Sequence, residues 1–114
     1  MNPARLDRTL AALADPSRRR VIELLRERPR PSGELAQAAG LTAPAMSRHL
    51  RTLRQGGLVA EDHGGFDARV RIYHLRPEAM AELKSWLEET ERLWSEQLSA
   101  FKTHLERDAA EEGE

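Results

Sequence analysis

Apolar residues recur every three or four positions through the first half of the chain, which is the spacing of amphipathic helices. Leu6, Leu10 and Leu13 follow this spacing and predict a first helix over residues 3–14. The pattern changes to a strand-like alternation only between residues 58 and 75. The chain is therefore predicted to be mainly α with a small β-hairpin.

A second helix is predicted to begin at Asp15 and Pro16. The aspartate carboxylate can cap the first backbone N–H groups, and proline lacks the N–H that would be left unpaired in a first turn. Pro29 and Pro31 end this helix and make up a short linker. Its predicted inward positions are Val21, Ile22, Leu24 and Leu25.

Residues 32–58 predict two short helices joined by a glycine turn, which is the arrangement of a helix-turn-helix. Ser32 is predicted to cap the first helix, and Gly40 to end it in the left-handed conformation. Thr42 is predicted to cap the second helix. The inward positions of the pair are Leu35, Ala36, Ala39, Leu41, Met46, Leu50 and Leu53.

The outward face of that second helix has small residues in its first turn and serine and arginine behind them. These outward positions are Pro44, Ser47, Arg48, Arg51 and Gln55. Such a helix has the shape and chemistry to enter the major groove of DNA. An ordinary helical hairpin with a solvated basic face is the alternative, and this segment alone leaves both open.

Two runs of alternating residues, 58–63 and 68–75, flank the turn GGFD at 64–67 and predict a β-hairpin. Tyr73 and Leu75 are predicted to point inward. Two arginines nearer the tip are expected to overhang the surface that the helix-turn-helix contacts: Arg69 and Arg71.

Pro77 opens a final helix with a nearly heptad apolar seam over about 30 residues, or roughly 45 Å. The seam consists of Met80, Leu83, Leu87, Thr90, Trp94, Leu98, Phe101 and Leu105. A single small domain cannot cover such a stripe, so we expect it to pack against the first helix and a second copy of the chain. Residues 108–114 have no apolar anchor and predict a disordered acidic tail after one domain over residues 1–107.

The net charge is −1, but it is unevenly distributed. Residues 1–60 hold 11 Arg or Lys and 5 Asp or Glu, whereas residues 77–114 hold 4 and 11. A basic front can approach phosphate while an acidic back keeps the particle soluble. An accidental asymmetry with a merely solvated acidic helix is the alternative.

The composition of the chain argues against several classes of site and function. The chain has no cysteine, which excludes disulfides and thiolate metal sites. No apolar stretch resembles a signal peptide or a membrane span, so we expect a cytoplasmic protein without a membrane partner. No activated nucleophile, carboxylate pair or phosphate-binding glycine loop indicates an enzyme.

The order helix, helix, helix-turn-helix, hairpin, long helix resembles the ArsR-type winged-helix family of bacterial transcription factors. The resemblance is carried by ALADPSRRRVIELL at 12–25, GELAQAAGLTAPAMSRHLRTLRQGGLV at 33–59 and RVRIYHL at 69–75. The final helix looks like that of a cysteine-free branch with a tryptophan-bearing dimerisation helix. The resemblance implies a homodimeric repressor that binds double-stranded DNA and releases its operator when a signal arrives.

The resemblance also implies which residues meet DNA. They are Thr42, Ala43, Pro44, Ser47, Arg48, His49 and Arg51 in the helix-turn-helix, with Arg69 and Arg71 in the wing. Ala43 and Pro44 offer only apolar contact, for instance with a thymine methyl group. Arg48 is equally suited to guanine O6 and N7 or to a phosphate.

For the dimer interface, we expect contributions from the first and last helices. The expected residues are Leu6, Leu10, Leu83, Leu87, Trp94, Leu98 and Phe101. One or two of the arginines at 18–20 are expected to clamp the DNA backbone, the alternative being a solvated face.

The metal sites of the family match this chain poorly. A cysteine pair is replaced by ELAQAAG at 34–40, and only His104 lies in the region of the carboxylate and histidine ligands of the final helix. We therefore expect no cofactor and regulation without a metal ion, and the sequence does not identify the effector. A winged-helix module that binds a protein partner, without sequence-specific DNA binding, is the alternative function.

Overall fold

The computed structural model describes residues 3–64 and 67–112, with the side chains of residues 64, 67 and 68 outside that description. The elements are α1 (Pro3–Leu13), α2 (Pro16–Glu27), β1 (Arg30–Pro31), α3 (Ser32–Ala39), α4 (Ala43–Gln55), β2 (Val59–Gly64), β3 (Asp67–Leu75) and α5 (Pro77–Glu112). The chain divides into two compact units, Met1–Leu83 and Lys84–Glu114. None of the helices within the described residues is long and apolar enough to cross a membrane.

Two of the three predicted helix caps are present. Asp15 Oδ1 accepts hydrogen bonds from the backbone N–H of Ser17 at 2.7 Å and of Arg18 at 3.2 Å. Thr42 Oγ1 accepts one from the backbone N–H of Ala45 at 3.3 Å. The cap expected at Ser32 is wrong, because Ser32 is already the first residue of α3.

Helix α3 begins this early because the segment before it is a strand. Residues 29–31 were predicted to be a linker, but Arg30 and Pro31 pair with Tyr73 and Ile72 of β3. The result is a three-stranded antiparallel sheet in the order β1-β3-β2. Proline is compatible with this place, since an edge strand leaves one side without ladder hydrogen bonds.

Arg30 in β1 is a buried charge that the sequence analysis did not single out; it is 9% exposed. Its guanidinium donates to Leu24 O at 3.1 Å and to Glu34 Oε1 at 3.0 Å, and it also pairs with Glu27. These partners compensate the desolvation of the guanidinium, which would otherwise be costly. Arg30 thereby joins the end of α2 to the start of α3.

Glycines end the two helices of the helix-turn-helix, and Gly40 does so in the left-handed conformation as predicted. Gly40 has φ 68°, and Leu41 N–H then donates to Ala36 O at 2.9 Å, which satisfies a carbonyl at the end of α3. Gly57 has φ 74° immediately after Gly56, the residue that follows α4. Both positive φ values lie where a side chain would be strained.

The core of the first unit contains the inward residues predicted for α2, α3 and α4. Leu35, Met46, Leu50 and Leu53 are each at most 1% exposed, and Ile22, Ala39 and Leu41 are partly buried against the core. In β3, Tyr73 is buried and Leu75 packs against the core, as predicted. Leu58, Val59 and Ala79 also belong to this core, although the sequence analysis did not single them out.

Helix α1 packs one end of its leucine stripe, Leu13, against the core. Thr9 and Ala12 are buried, whereas Leu10 is 43% exposed. Its charged surface is joined to the start of α5 by an ion pair between Arg5 Nη1 and Glu82 Oε1 at 3.1 Å. Of the two leucines of α1 expected in the interface, Leu10 is therefore exposed on the first unit and Leu6 is partly buried.

The start of α5 corrects one expected interface residue. Leu83 is only 8% exposed and is buried within the first unit, so it is not available to a partner. The 3.6-residue period of the helix turns Ala79 and Leu83 inward together. The apolar seam of α5 predicted that Leu83 contacts a partner, because the spacing of apolar residues does not show which neighbour covers each of them.

The second unit is the rest of α5. Its large apolar side chains are 38–66% exposed: Trp86, Leu87, Leu93, Trp94, Leu98, Phe101 and Leu105. The helix continues through residues 108–112, which the sequence analysis placed in a disordered tail. Alanine, glutamate and arginine are strong helix formers, and no glycine or proline interrupts them before residue 113. Residues 113 and 114 lie outside the described residues.

Candidate nucleic-acid interface

The predicted outward face of α4 is exposed. Its exposed positions are Thr42, Ala43, Pro44, Ser47, Arg48, Arg51 and Gln55. Within the described residues the guanidinium groups of Arg48 and Arg51 have no hydrogen-bond or ion-pair partner in the chain. Two arginines with unused donors, next to small residues at the helix start, are free to contact phosphate or base edges.

His49 lies on a different side of α4 from those arginines. It is partly buried, and its Nδ1 is 3.4 Å from Arg18 Nη1 of α2. Among the expected groove residues, His49 is the one that the fold directs toward a neighbouring helix.

Arg18 is a structural link, which corrects its possible role as a DNA clamp. Its Nε donates to Ala12 O at 2.7 Å and its Nη2 to Ala11 O at 3.1 Å. These carbonyls end α1, so the guanidinium satisfies acceptors that α1 cannot pair internally. Through His49, Arg18 also connects the end of α1 to α4.

The other two arginines of this run also have partners in the chain. Arg19 Nη1 donates to Leu13 O at 2.8 Å, and Arg20 Nη1 lies 3.5 Å from Glu23 Oε2. Both side chains remain on the surface. The geometry therefore favours the structural alternative for this segment over a backbone clamp.

A cleft of about 260 Å³ separates α4 from the wing strands β2 and β3. Its lining residues are Ser47, Arg51, Arg54, Glu61, Arg71 and Tyr73. Glu61 Oε1 lies 2.6 Å from both Arg54 Nη1 and Arg71 Nη1, and Glu61 Oε2 accepts a hydrogen bond from Tyr73 Oη at 2.9 Å. One carboxylate therefore connects the last turn of α4 to two positions of β3.

This cluster shifts the titration of its members. Partial burial works to raise the pKa of Glu61, but the hydrogen bond from Tyr73 and the charges of Arg54 and Arg71 lower the pKa overall. Burial, followed by the hydrogen bond to Glu61, raises the pKa of the Tyr73 hydroxyl. Glu61 is consequently a carboxylate, and Tyr73 a donor, throughout the neutral pH range.

The wing arginines are both exposed, as expected from their place near the hairpin tip. Arg71 nevertheless differs from the expectation of a simple overhang, because its Nη1 is bound to Glu61. The turn residues 65 and 66 lie outside the described residues. On the opposite side of β3, His74 Nδ1 lies 3.2 Å from Asp62 Oδ2.

Arg54 and Glu61 are functional candidates that the sequence analysis missed. Glu61 could have been found from the alternation of side chains along a strand. It lies two residues after buried Val59, on the same face, and it is opposite Tyr73 in the strand register. A carboxylate on the inward face of a strand requires partners, and an arginine in the preceding helix turn supplies one.

The described part of the chain, residues 3–64 and 67–112, contains no group of three or more His, Asp or Glu side chains placed to hold a metal ion. His104 of α5 lies 3.3 Å from Asp108 Oδ2, a spacing of four residues on one helix. A histidine and an aspartate alone provide two ligands, fewer than the tetrahedral set of a zinc site.

Known proteins are similar to this chain in both sequence and fold. A protein-family profile described as a helix-turn-helix domain matches residues 13–62. The HTH-type transcriptional regulator Rv2034 of Mycobacterium tuberculosis is 36% identical over 95 residues, which are 83% of this chain and 83% of that protein.

Two solved structures extend the likeness to the fold. An ArsR-like transcriptional regulator from Rhodococcus superposes with a TM-score of 0.79 at 25% identity, over 90% of this chain and 92% of that one. The homodimeric winged helix-turn-helix DNA-binding domain Mb0332 from Mycobacterium bovis, a possible ArsR-family regulator, has a TM-score of 0.63 at 26% identity, over 78% and 80% of the two chains. Together with the exposed basic face of α4 and the wing beside it, these similarities show that the chain belongs to the ArsR family of winged helix-turn-helix transcriptional regulators.

Proposed function

We propose that this protein is a cytoplasmic, homodimeric, sequence-specific repressor that binds a palindromic operator. The observation that carries the proposal is the outward face of α4, where Ser47, Arg48 and Arg51 are exposed and the two guanidinium groups have no partner in the described part of the chain. In a winged helix this element enters the major groove, while the wing contacts the flanking backbone.

The dimer follows from apolar side chains that the described chain leaves exposed. In the first unit Leu10 of α1 is exposed, and in the second unit five residues of α5 are exposed: Leu87, Trp94, Leu98, Phe101 and Leu105. A two-fold dimer would place two copies of α4 about one DNA turn apart, which requires an operator with two inverted half-sites. The homodimeric domain from Mycobacterium bovis supports this assembly.

Within the interface we assign different roles to two arginines. Arg48 hydrogen-bonds guanine O6 and N7, a contact worth about 1–3 kcal/mol of discrimination, and Ser47 and Arg51 contact bases or phosphates beside it. Arg69 in the wing binds phosphate and contributes affinity without sequence information. Ala43 and Pro44 contact a thymine methyl group.

The test is selection of an operator from random duplexes, followed by anisotropy titrations on that operator and on a scrambled duplex. We expect Arg48→Ala to remove the preference for the operator. Arg69→Ala should weaken both duplexes alike and reduce the salt dependence by about one unit of slope. Arg107→Ala, which removes an exposed arginine of α5, is the control and should change neither.

Two results would contradict the proposal. An equal loss on both duplexes with Arg48→Ala would make Arg48 a phosphate contact. If selection returned no preferred duplex for the wild-type protein, the module would serve a protein partner instead. A promoter-reporter strain tests the direction of control, since a repressor lowers expression from a promoter that contains the selected operator.

A further inference from the structure

A carboxylate lies in the cleft that separates α4 from the wing. Glu61 is surrounded there by Arg51, Arg54 and Arg71, and its side chain is 19% exposed. A negative charge beside a surface that binds a polyanion weakens the attraction of every phosphate. The charge of Glu61 therefore opposes DNA binding, and any favourable contribution has to come from the contacts that its carboxylate makes inside the cleft.

The contacts of the Glu61 carboxylate show what it contributes to the cleft. Glu61 Oε1 holds Arg54 of α4 and Arg71 of β3 at the same distance, 2.6 Å, and Tyr73 fixes the other oxygen. Each arginine commits one Nη1 to Glu61 and remains about half exposed, at 47% and 54% of the side chain. Its other N–H groups are therefore available to a phosphate.

We propose that Glu61 is a positioning residue for DNA binding, which fixes Arg54 and Arg71 in one geometry and at the same time lowers the affinity for DNA of unrelated sequence. The inference rests on the proposed function and deepens it. Because one carboxylate joins the helix that reads the groove to the wing that contacts the backbone, the two elements approach a duplex as one body. A duplex whose phosphates match the spacing of Arg54 and Arg71 forms contacts with both arginines. Any other duplex is repelled by the charge of Glu61 without forming both contacts.

Two variants of Glu61 separate charge from position. Glu61→Gln removes the charge but keeps the side-chain length and an oxygen for Tyr73. Glu61→Asp keeps the charge but shortens the side chain by one methylene group, so that it cannot reach both arginines and Tyr73. Glu89→Gln on α5 removes a carboxylate that is paired with Arg92 and serves as the control for net charge.

The measurement is anisotropy on the selected operator and on a scrambled duplex, over a series of salt concentrations. With Glu61→Gln we expect binding to the scrambled duplex to rise about two- to fivefold, the range of a single exposed charge interaction. The slope of log K against log salt should steepen by about 0.9, since one more phosphate charge is neutralised. Affinity for the operator should rise less, so the specificity ratio falls.

Glu61→Asp should leave the salt slope and the binding to scrambled duplex unchanged while operator affinity falls. In an Arg71→Ala background the effect of Glu61→Gln should shrink, because the carboxylate then holds only Arg54. Thermal unfolding of each variant shows whether the fold is retained, and Glu61→Asp carries the test if Glu61→Gln does not fold.

The outcomes distinguish this inference from the proposed function. Wild-type protein without operator preference would refute the proposed function. A wild-type preference that Glu61→Gln leaves intact, with an unchanged salt slope, would overturn the role of Glu61. So would an equal loss of affinity for both duplexes in Glu61→Gln and Glu61→Asp, because that result would make the cluster a structural support alone.

Discussion

The two units of this molecule carry the same kind of apolar periodicity but satisfy it differently. In Met1–Leu83 the core residues are at most 8% exposed, and polar links such as Arg30 and Arg18 join neighbouring elements. In residues 84–112 the large apolar side chains are 38–66% exposed. A stripe at helical spacing thus establishes that one face is apolar, but it does not identify what covers that face.

The difference has an energetic consequence. A single helix without tertiary packing is marginally stable in water, because propensity alone barely offsets the conformational entropy of ordering the chain. The 29 residues from 84 to 112 would extend about 43 Å as a helix. We therefore expect the stability of the second unit to depend on a partner, whereas the first unit contains its own core.

The largest effect is expected from Trp94→Ala, which tests that dependence directly. Trp94 is 66% exposed in the chain and is the largest apolar side chain of the proposed interface. Central tryptophans in interfaces are worth about 2 kcal/mol or more, so the dimer dissociation constant should rise roughly 30-fold or more. Sedimentation equilibrium over a range of protein concentrations measures the change.

Leu50→Ala is the matched control from the first unit, where Leu50 is 1% exposed. It should lower the free energy of unfolding by about 2–5 kcal/mol through the cavity it leaves. This loss is expected at every protein concentration, while the effect of Trp94→Ala depends on concentration. A stable, folded wild-type monomer at micromolar concentration would refute the proposed division between the two units.

The sequence predicted most of the first unit, because its signals are local. Asp15 and Thr42 cap helices, and Gly40 adopts the left-handed conformation, through contacts within four residues in the chain. Strand β1 escaped prediction because two residues carry no period, and its pairing with β3 spans more than forty positions. Ser32 was misassigned as a consequence, since the strand places the helix start one residue earlier.

The part of the nucleic-acid interface that lies on one face of α4 was predictable from the sequence. Arg48 and Arg51 followed from the spacing in α4, and both are exposed. Arg54 and Glu61 could not be paired in advance, because their contact depends on how β2 leaves α4. Leu83 was expected to contact the partner but is buried within the first unit. The spacing of apolar residues along a helix does not indicate which neighbouring element covers each of them.

A smaller effect is expected at the glycine pair that ends α4. Gly57 has φ 74°, so Gly57→Ala should cost about 1–2 kcal/mol of unfolding free energy through backbone strain. Gly56 has φ −77°, and an added Cβ would meet its nearest atoms at 3.5–3.7 Å, which is ordinary contact. Gly56→Ala should therefore be neutral or stabilising by about 0.5 kcal/mol. Chemical denaturation of both variants gives the comparison, and equal effects would exclude the strain explanation.

The smallest expected effect concerns acid, and it compares one carboxylate from each unit. Partial desolvation works to raise the pKa of Asp15, but the backbone N–H groups of Arg18 and Ser17 and the charges of His49 and Arg18 lower it overall below its ordinary value of 3.8. In the second unit the hydrogen bond and charge of Arg92 lower the pKa of Glu89. Both groups therefore stabilise the folded chain above their ordinary pKa, and this contribution is lost as the pH falls through the lowered value.

The two carboxylates should respond differently to substitution and to salt. Asparagine is as good a helix cap as aspartate, so Asp15→Asn should retain most of the stability near neutral pH but lose the dependence on pH below about 4. Glu89→Gln should remove an ion pair on the helix surface, whose small contribution is already screened at high salt. Thermal unfolding between pH 2 and pH 7, at low and high salt, measures both. If Asp15→Asn kept the full acid dependence of the wild type, the carboxylate at the start of α2 would not be the group that titrates, and the first unit would owe its acid sensitivity to another ion pair.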